Sequence, residues 1–288
     1  MKRLINYKVP KWVKEVNLSF DSYDTIPSKI YDEVNAKLDR LQQGAPLVSV
    51  IIAAYNEEIN ILRCLNSLSN TLYQQPIEFI VVNNNSSDRT QKTIDRLNVK
   101  KLLQPIQGCG PARQLAQEQA RGKYILLADA DCLYPATWMD EMMKVLQQPG
   151  VACVYGRYSF IPEAGYSRGQ LYLLEKMKDV IAGFRHIKRP YLNAFGISMG
   201  YLKEYGLKAG YVMHNVRGDD GRLAFDMMKY GRIVQVKSNL ARPWTGPRTL
   251  DRDGSFYKAL GNRVLIEFKR FFTLLKSEKP HDTKSSGN

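Results

Sequence analysis

The sequence contains few cysteines and histidines, which limits the metal sites and cross-links that it can form. Among its 288 residues are four cysteines, at positions 64, 109, 132 and 153, and three histidines. No two cysteines have the Cys-x-x-Cys spacing, so neither a zinc knuckle nor a disulfide framework is indicated. We therefore expect reduced, buried thiols in a cytoplasmic protein.

Long apolar runs are also absent. No stretch of about 18 apolar residues occurs, so we expect no transmembrane helix. The first residues, 1–8, are basic, but the apolar core of a signal peptide does not follow them. Hydrophobic residues make up 44% and charged residues 24% of the chain, a balance that excludes a disordered protein. The length allows one large α/β domain or two small ones.

Acidic residues are in the minority. There are 28 aspartates and glutamates against 42 lysines and arginines, and the formal net charge is +14. Such a charge attracts anions, including nucleotides, anionic lipid headgroups and nucleic acids. It is equally typical of a generally basic surface, because the positive residues are spread along the whole chain. No nucleic-acid-binding motif accompanies them, so we expect no nucleic-acid partner.

An apolar run that ends in two aspartates is the most informative feature of the sequence. The run Tyr124–Ala128 leads directly into Asp129 and Asp131. A short apolar run predicts a buried strand, and residues two apart on a strand point the same way. Two such carboxylates favour Mg²⁺ or Mn²⁺, which usually shares its ligands with substrate phosphates. The alternative is a pair of solvated loop aspartates, and the pair alone does not decide between them.

Strand and helix patterns alternate before this pair. We predict strands, each followed by a helix, at residues 48–54 and 59–68, 77–82 and 90–97, and 99–103 and 111–120. Alternation of this kind predicts an α/β protein with a parallel, doubly wound sheet. Ligands bind such sheets at the carboxyl ends of the strands. We therefore expect the polar loops 53–57, 83–88 and 129–131 to meet at one site.

The second half of the sequence is less regular. A helix is predicted at 171–181, and another follows Gly218-Asp219-Asp220-Gly221. Apolar residues recur every three or four positions from 256 to 275, with basic residues among them. This pattern predicts an amphipathic helix that either packs on the core or lies on an anionic membrane surface. The glycines of Gly108-Cys109-Gly110 lack the full spacing of a dinucleotide loop, which argues against a Rossmann dehydrogenase.

Four motifs in order resemble those of family 2 glycosyltransferases with the GT-A fold. They are VSVIIAAYNEE at 48–58, VVNNNSSDRT at 81–90, GPAR at 110–113 with ARGKYILLADAD at 120–131, and GDDGRL at 218–223. The resemblance spans about residues 47–250 and implies a mostly parallel doubly wound sheet flanked by helices. It divides the chain into an N-terminal extension (1–46), a GT-A domain (47–250), a C-terminal amphipathic helix (251–276) and a disordered tail (277–288). Within the GT-A domain, about 47–135 would bind the nucleotide sugar and about 136–250 the acceptor.

The resemblance implies an inverting, metal-dependent enzyme of the hexosyltransferase type that uses a nucleotide-sugar donor. Donor contacts are expected at Ala53, Tyr55, Glu57, Asn84 and Arg113, with Tyr55 against the base. Asn84 stands where the family often has a carboxylate that accepts the uracil N–H; an amide oxygen can also accept, but it adds donors and removes the charge. The resemblance as a whole favours a UDP-sugar, and GDP and dTDP stay open. Each residue also has a structural alternative, such as a helix cap for Glu57.

The same resemblance assigns the acidic residues. Asp131 would ligate Mn²⁺ or Mg²⁺ directly, and Asp129 would hold the ribose or a metal-bound water. The cation would neutralise the diphosphate leaving group. Asp220 would act as general base, with Asp219 in place of the glutamate that usually precedes it. The alternative for Asp219 and Asp220 is a pair of helix-capping residues.

Several features stay open at this level. His214, Trp244 and Arg248 are near the motifs without a defined role, and the acceptor and oligomeric state are not encoded in a readable pattern. The Gln-x-x-Arg-Trp signature of processive synthases is absent, so we expect transfer of a single sugar. If the C-terminal helix binds a membrane, we expect the acceptor to be a lipid-linked or surface glycan of cell-envelope polysaccharide synthesis. The protein would be cytoplasmic, and peripheral on the inner face of the membrane if the C-terminal helix binds lipid.

Two other classes are considered. A non-catalytic nucleotide-sugar-binding relative would share the motifs, although the intact Asp131 and Asp220 argue against it. Haloacid-dehalogenase-like phosphatases also have an Asp-x-Asp pair after a strand. They usually have Thr or Val two residues after the second aspartate, where this chain has Leu133, and the pair usually lies near the start of the domain.

Overall fold

The apolar runs of the sequence become the central strands of a seven-stranded sheet. The structure is a computed structural model that describes residues 7–163, 165–214 and 218–251. Its helices are α1 Lys11–Val16, α2 Ser28–Leu41, α3 Asn60–Leu68, α4 Thr90–Asp95, α5 Cys109–Gln119, α6 Trp138–Leu146, α7 Arg168–Lys188, α8 Lys203–Ala209, α9 Asp219–Met227 and α10 Arg248–Asp251. Its strands are β1 Val48–Ala54, β2 Ile77–Asn83, β3 Lys100–Leu103, β4 Tyr124–Asp129, β5 Cys132–Leu133, β6 Val151–Tyr155, β7 Ser159–Phe160, β8 Met199–Leu202, β9 Arg232–Gln235 and β10 Trp244–Thr245.

The large sheet has the strand order β3-β2-β1-β4-β8-β6-β9. Its first four strands are parallel, and β8 is antiparallel to both of its neighbours, β4 and β6. In the register of the central strands, Ala53 lies beside both Val82 and Asp129. The loops after β1, β2 and β4 therefore begin at one edge, as the alternating pattern predicts. The mostly parallel α/β fold is confirmed.

Both faces of this sheet are covered by helices. Along β1, Val50 and Ile52 belong to a core cluster that includes residues of α2, α3 and α6. Ile51, between them, belongs to a second cluster with residues of α5 and α9. Alternate side chains of a strand point to opposite faces. A strand that is buried on both faces is apolar at nearly all successive positions, which explains the apolar runs in the sequence.

Some predicted boundaries differ from those of the structure. The helix expected at 171–181 is the 21-residue α7. It begins earlier because the Ser167 side chain accepts a hydrogen bond from the Gln170 backbone N–H. It ends later because the basic residues near 185–188 form its last turn, which the helix dipole favours. The amphipathic helix predicted at 256–275 lies outside the described residues.

A small second sheet was not predicted. Strands β5, β10 and β7 form it, and each of them has only two residues, too few for a sequence pattern. Three cysteines are buried free thiols as expected, whereas Cys109 is exposed because it lies at the first residue of α5. Within the described part of the chain, no helix combines the length and the apolar character that crossing a bilayer requires.

Candidate active site

A buried arginine joins three carboxylates at the carboxyl edge of the sheet. Arg113, on α5, places its Nη2 3.1 Å from Asp129 Oδ1 at the end of β4. Its Nη1 lies 2.6 Å from Asp220 Oδ1 and 3.6 Å from Asp219 Oδ2, at the start of α9. The side chains of Asp219 and Asp220 are only 8% and 12% exposed, whereas that of Asp129 is 38% exposed. The predicted residues Arg113, Asp129, Asp219 and Asp220 thus form one group, here called the Arg113 cluster.

Two glycines hold the Arg113 cluster together. Gly218 has φ +89° immediately before α9, a conformation that suits glycine and turns the chain into the helix. The backbone N–H of Gly196 donates a 2.7 Å hydrogen bond to Asp220 Oδ2. A Cβ atom at Gly196 would lie 1.9 Å from Arg113 Nη2, so the backbone approaches this closely only because the residue is glycine.

Asp219 retains an unsatisfied acceptor. Its Oδ2 is buried and has no hydrogen-bond partner among the residues that the structure describes, although the Arg113 guanidinium lies nearby. Buried polar atoms are nearly always hydrogen-bonded in folded proteins. This oxygen is therefore available to a hydrogen-bond donor of a ligand.

The acidity of the cluster is suited to proton transfer. Burial raises the pKa of Asp220 to about 6, while the Arg113 guanidinium opposes the shift. Burial likewise raises the pKa of Asp129 to about 7, again against the effect of Arg113. Carboxylates with raised pKa values in a cleft are typical of catalytic acids and bases.

A second group surrounds the other aspartate of the pair. Arg248 Nη2 lies 2.8 Å from both Asp131 Oδ2 and Glu57 Oε1. The Asn60 side chain donates a 2.6 Å hydrogen bond to Glu57 Oε2. Burial raises the pKa of Glu57, and Arg248 opposes this shift. Arg248, whose role the sequence leaves open, therefore bridges two residues of the predicted site.

Strand geometry was the reason given for expecting Asp129 and Asp131 to lie close together, and this reason is wrong. Strand β4 ends at Asp129, and Ala130 and Asp131 lie in a turn, so the two side chains do not follow strand geometry. Even so, the ligand atoms of Asp129, Asp131 and Cys132 lie within 4.8 Å of one another. The turn achieves the proximity that we had attributed to strand spacing.

The donor atoms fit a hard divalent cation. Carboxylate oxygens are preferred by Mg²⁺ and Mn²⁺, and the side chains of Asp129 and Asp131 are both partly accessible. The Cys132 thiol does not belong to such a set. Burial raises its pKa well above the ordinary value, so the sulfur stays protonated at 3.2 Å from Asp131 Oδ1.

The remaining predicted donor contacts line the same edge. Tyr55, just after β1, is 44% exposed and leaves its ring free for a ligand. Ala53 is half-buried beside Asp129. Asn84 is buried, and its side-chain oxygen accepts a 3.0 Å hydrogen bond from the Gly108 backbone N–H. That oxygen is therefore already partly used, and a nucleotide contact for Asn84 stays a prediction.

Among the described residues, neither His214 nor Trp244 has a hydrogen bond or ion pair to the Arg113 cluster. His214 is exposed, and the structure does not describe residues 215–217 that follow it. Trp244 is buried in a small cluster with Val13 and Leu133. Its position indicates packing.

Two residues that position the site, Gly196 and Tyr134, were not identified from the sequence. The Tyr134 hydroxyl accepts a 2.8 Å hydrogen bond from the Asp129 backbone N–H and donates a 3.0 Å hydrogen bond to Ile197 O. Neither residue has a local pattern that would have identified it.

Comparison with protein families gives one match. The model described as "Glycosyl transferase family 2" matches residues 49–205. Glycosyltransferase AglE of Haloferax volcanii is 31% identical over 134 residues, which is 44% of each chain. The UDP-Glc:alpha-D-GlcNAc-diphosphoundecaprenol beta-1,3-glucosyltransferase WfaP of Escherichia coli is 26% identical over 166 residues, 51% of this chain and 66% of that protein. The chain spans about half the length of the curated relatives that it matches first.

Solved structures share the fold. The mannosyltransferase PcManGT of Pyrobaculum calidifontis, in complex with GDP-Man and Mn²⁺, aligns with a TM-score of 0.55 at 17% identity, covering 88% of this chain and 77% of that one. Glucosyl-3-phosphoglycerate synthase of Mycobacterium tuberculosis, in complex with Mn²⁺, UDP-Glc and phosphoglyceric acid, aligns with a TM-score of 0.52 at 20% identity, covering 78% and 79%. At these identities the likeness supports the GT-A architecture alone.

Proposed function

The chain belongs to glycosyl transferase family 2, and from this premise we propose that it transfers one sugar from a nucleotide sugar to an acceptor hydroxyl with inversion. The observation that carries the proposal is the Arg113 cluster. It joins Asp129, at the predicted donor edge, to Asp219 and Asp220, at the start of α9 in the predicted acceptor part. This arrangement would bring the donor sugar and the proton acceptor to one centre.

The nucleotide would bind across the ends of β1 and β2. The exposed ring of Tyr55 offers an aromatic face to the base. Ala53 and Asn84 would line the floor below it, and Glu57 the wall toward the diphosphate. Arg113 is engaged with carboxylates, so its contribution to the nucleotide would be to fix Asp129 for the ribose.

The divalent cation would be held by Asp131, with Asp129 close enough to contribute directly or through water. When bound, Mn²⁺ or Mg²⁺ would offset the negative charge of the diphosphate leaving group. Arg248 now contacts Asp131, and its own side chain is half-exposed, so it could leave Asp131 when the cation binds. Its guanidinium would then be free to contact phosphate oxygens, which arginine binds well.

Asp220 would remove the proton from the acceptor hydroxyl. As the acceptor oxygen forms its bond to the anomeric carbon, the bond from that carbon to the nucleotide diphosphate breaks on the opposite face. The bonds to Gly196 N–H and Arg113 orient the Asp220 carboxylate, and each oxygen keeps a further lone pair for the hydroxyl. Asp219, with its unsatisfied Oδ2, would bind a hydroxyl of the donor sugar or the acceptor.

Substrate classes are proposed from the relatives. The printed names of two Escherichia coli relatives specify UDP-Glc as donor and a diphosphoundecaprenol-linked acceptor. We therefore favour a UDP-sugar and a lipid-linked or surface glycan of the cell envelope, handled at the cytoplasmic face. The GDP-Man complex of the Pyrobaculum calidifontis neighbour makes GDP-sugars the alternative to test first.

A donor screen tests the proposal. The full chain would be incubated with Mn²⁺ and a panel of UDP-, GDP- and dTDP-sugars, and release of the nucleoside diphosphate would be measured with and without candidate acceptors. We expect turnover with one nucleotide and its loss in Asp220→Asn. Donor binding in a thermal-shift assay without turnover under any condition would instead identify a non-catalytic binding protein. Release of inorganic phosphate from sugar phosphates would favour a phosphatase.

A further inference from the structure

Helix α7 exposes a continuous apolar stripe. Leu173, Val180, Phe184 and Ile187 are each more than half exposed. At 100° per residue their positions fall within an arc of about 60°, so they form one line along the helix. Isolated exposed apolar residues are ordinary, but a line of four on one helix indicates a surface that is covered by something else.

The opposite face of α7 is fixed to the protein. Leu171 and Leu174 are buried in a cluster with Phe160. Both acidic residues of the helix, Glu175 and Asp179, are engaged in hydrogen bonds or ion pairs on this side. Glu175 accepts bonds from Ser159 Oγ and Phe160 N–H. Asp179 forms ion pairs with Arg157 and Arg242.

The charge that flanks the apolar stripe is therefore positive. At 100° per residue, Lys176 and Lys188 lie at the two borders of the stripe, whereas Arg168 pairs with Glu175 on the far side of the helix. An apolar line bordered by lysines is the arrangement by which amphipathic helices settle into the interface of an anionic bilayer. Each basic residue near such a leaflet adds to the attraction.

The size of the stripe argues against a large protein partner. Stable protein–protein interfaces use about 20–30 residues on each side. The stripe offers four apolar side chains on one convex helix. Shallow insertion into a lipid interface needs no complementary surface on the partner, and its strength grows with the apolar area and the flanking charge.

The C-terminal end of α7 is coupled to the proposed base. The Asn193 side chain donates a 2.9 Å hydrogen bond to the backbone oxygen of Ala182 in α7. A few residues later, Gly196 donates its backbone N–H to Asp220. Phe195, directly before Gly196, exposes nearly half of its surface. A short, anchored segment thus links the stripe to the Arg113 cluster.

We propose that the stripe Leu173–Val180–Phe184–Ile187 docks the protein onto an anionic lipid bilayer. Docking at α7 would hold the Asp220 side of the site toward the membrane, where an acceptor with a lipid anchor is delivered. The statement about the acceptor rests on the proposed transfer reaction, whereas the docking itself does not. The prediction is separate from any membrane contact made by residues 256–275.

Vesicle flotation of the full-length protein tests the docking surface. Vesicles of phosphatidylcholine with 30% phosphatidylglycerol at low salt would be compared with pure phosphatidylcholine, each in the presence and absence of high salt. We expect the wild type to float with the anionic vesicles alone, and less so at high salt. The triple variant Val180→Asn/Phe184→Asn/Ile187→Asn should bind at least about tenfold more weakly, because its apolar insertion is lost.

A matched control places the same change elsewhere. Leu72, Leu103 and Leu240 are also exposed leucines, on other elements. The variant Leu72→Asn/Leu103→Asn/Leu240→Asn should float like the wild type. Charge reversal by Lys176→Glu/Lys188→Glu should reduce binding at low salt and have little effect on the residual binding at high salt.

Several results would overturn the docking surface. One is equal flotation of the α7 variant and the wild type, which would assign membrane binding to another part of the chain. Another is absence of wild-type flotation on anionic vesicles at low salt. A third is tested with Phe184→Trp. Tryptophan emission from position 184 that is already blue-shifted without vesicles would show that the stripe is covered by residues 252–288 or by a second copy of the chain. Sedimentation at two protein concentrations would distinguish these two cases. Nucleoside diphosphate release from a soluble donor, measured separately, reports on the proposed function alone.

Discussion

Replacing Arg113 with methionine should destabilise the protein strongly, and more at high pH than at low pH. The change keeps much of the side-chain volume but removes the positive charge that contacts Asp219 and Asp220, which are 8% and 12% exposed. Removal of one partner from a buried ion pair costs about 3–5 kcal/mol, because the other charge stays buried without compensation. We expect this loss at pH 8. The contact with Asp129 is left out of the figure, since that side chain is 38% exposed and screened by water.

The pH dependence follows from the sign of the pKa change. In the wild type, burial already raises the pKa of Asp220 to about 6 although Arg113 opposes the shift. Without Arg113, the pKa of Asp220 in the folded protein rises further, while in the unfolded chain it stays near 3.9. The folded variant therefore binds a proton more readily than the folded wild type, and its relative stability improves as the pH falls. Each unit of additional pKa shift recovers about 1.4 kcal/mol.

Urea unfolding at pH 8 and pH 5.5, with EDTA present, measures both quantities through tryptophan fluorescence. Arg113→Lys, which keeps the charge, should lose less stability than Arg113→Met at pH 8. Arg89→Met is a matched control, because Arg89 pairs with Asp24 on the surface and both side chains are largely exposed. It should change stability little at either pH. A loss in Arg113→Met of less than about 1 kcal/mol at pH 8, or an equal loss at both pH values, would refute a charged, buried cluster.

Three further outcomes are expected. Asp131→Asn should weaken Mn²⁺-dependent UDP binding at least about tenfold in calorimetry, because an amide oxygen is a poor ligand for a hard cation; unchanged affinity would contradict the metal role. Asp220→Asn should keep that affinity and lower turnover about 10²–10⁴-fold, whereas near wild-type turnover would leave Asp220 as a helix cap. In the wild type, kcat/KM should fall as the pH drops below about 6, where burial places the pKa of Asp220. A protonated base cannot accept the hydroxyl proton, so a flat rate profile from pH 8 to 5 would be evidence against it.

The part of the fold predicted correctly is the part in which neighbouring residues determine the structure. Strand β1 was predicted with the observed bounds, 48–54, because both of its faces are buried and every position except Ser49 is apolar. The short strands β5, β7 and β10 could not be predicted in the same way. Each has two residues, and they are held by pairing with segments distant in the sequence.

The site shows the same limit. Asp129, Asp131 and Asp220 stand in motifs, and the structure brings Asp129 and Asp220 to one arginine. The contact from Arg248 to Asp131 joins residues 117 positions apart, and no local pattern encodes it. Gly196 was missed for a related reason. A glycine in a loop reveals nothing until the neighbouring Arg113 is known to leave no space for a Cβ atom.

The two arginines explain why adjacent aspartates in one motif would have different roles. Arg113 is 6% exposed, and displacing it from Asp129 would leave buried carboxylates without a cation. Arg248 is 49% exposed and Asp131 is 27% exposed, and an ion pair of that kind contributes about 0–1 kcal/mol. Glu57, the other partner of Arg248, is only 14% exposed, so the arginine would have to keep that contact. On these terms a divalent cation would replace Arg248 at Asp131 at a lower cost than it would replace Arg113 at Asp129. In the proposed reaction Asp131 would then be the direct ligand, and Asp129 would stay oriented by the same guanidinium that orients Asp220.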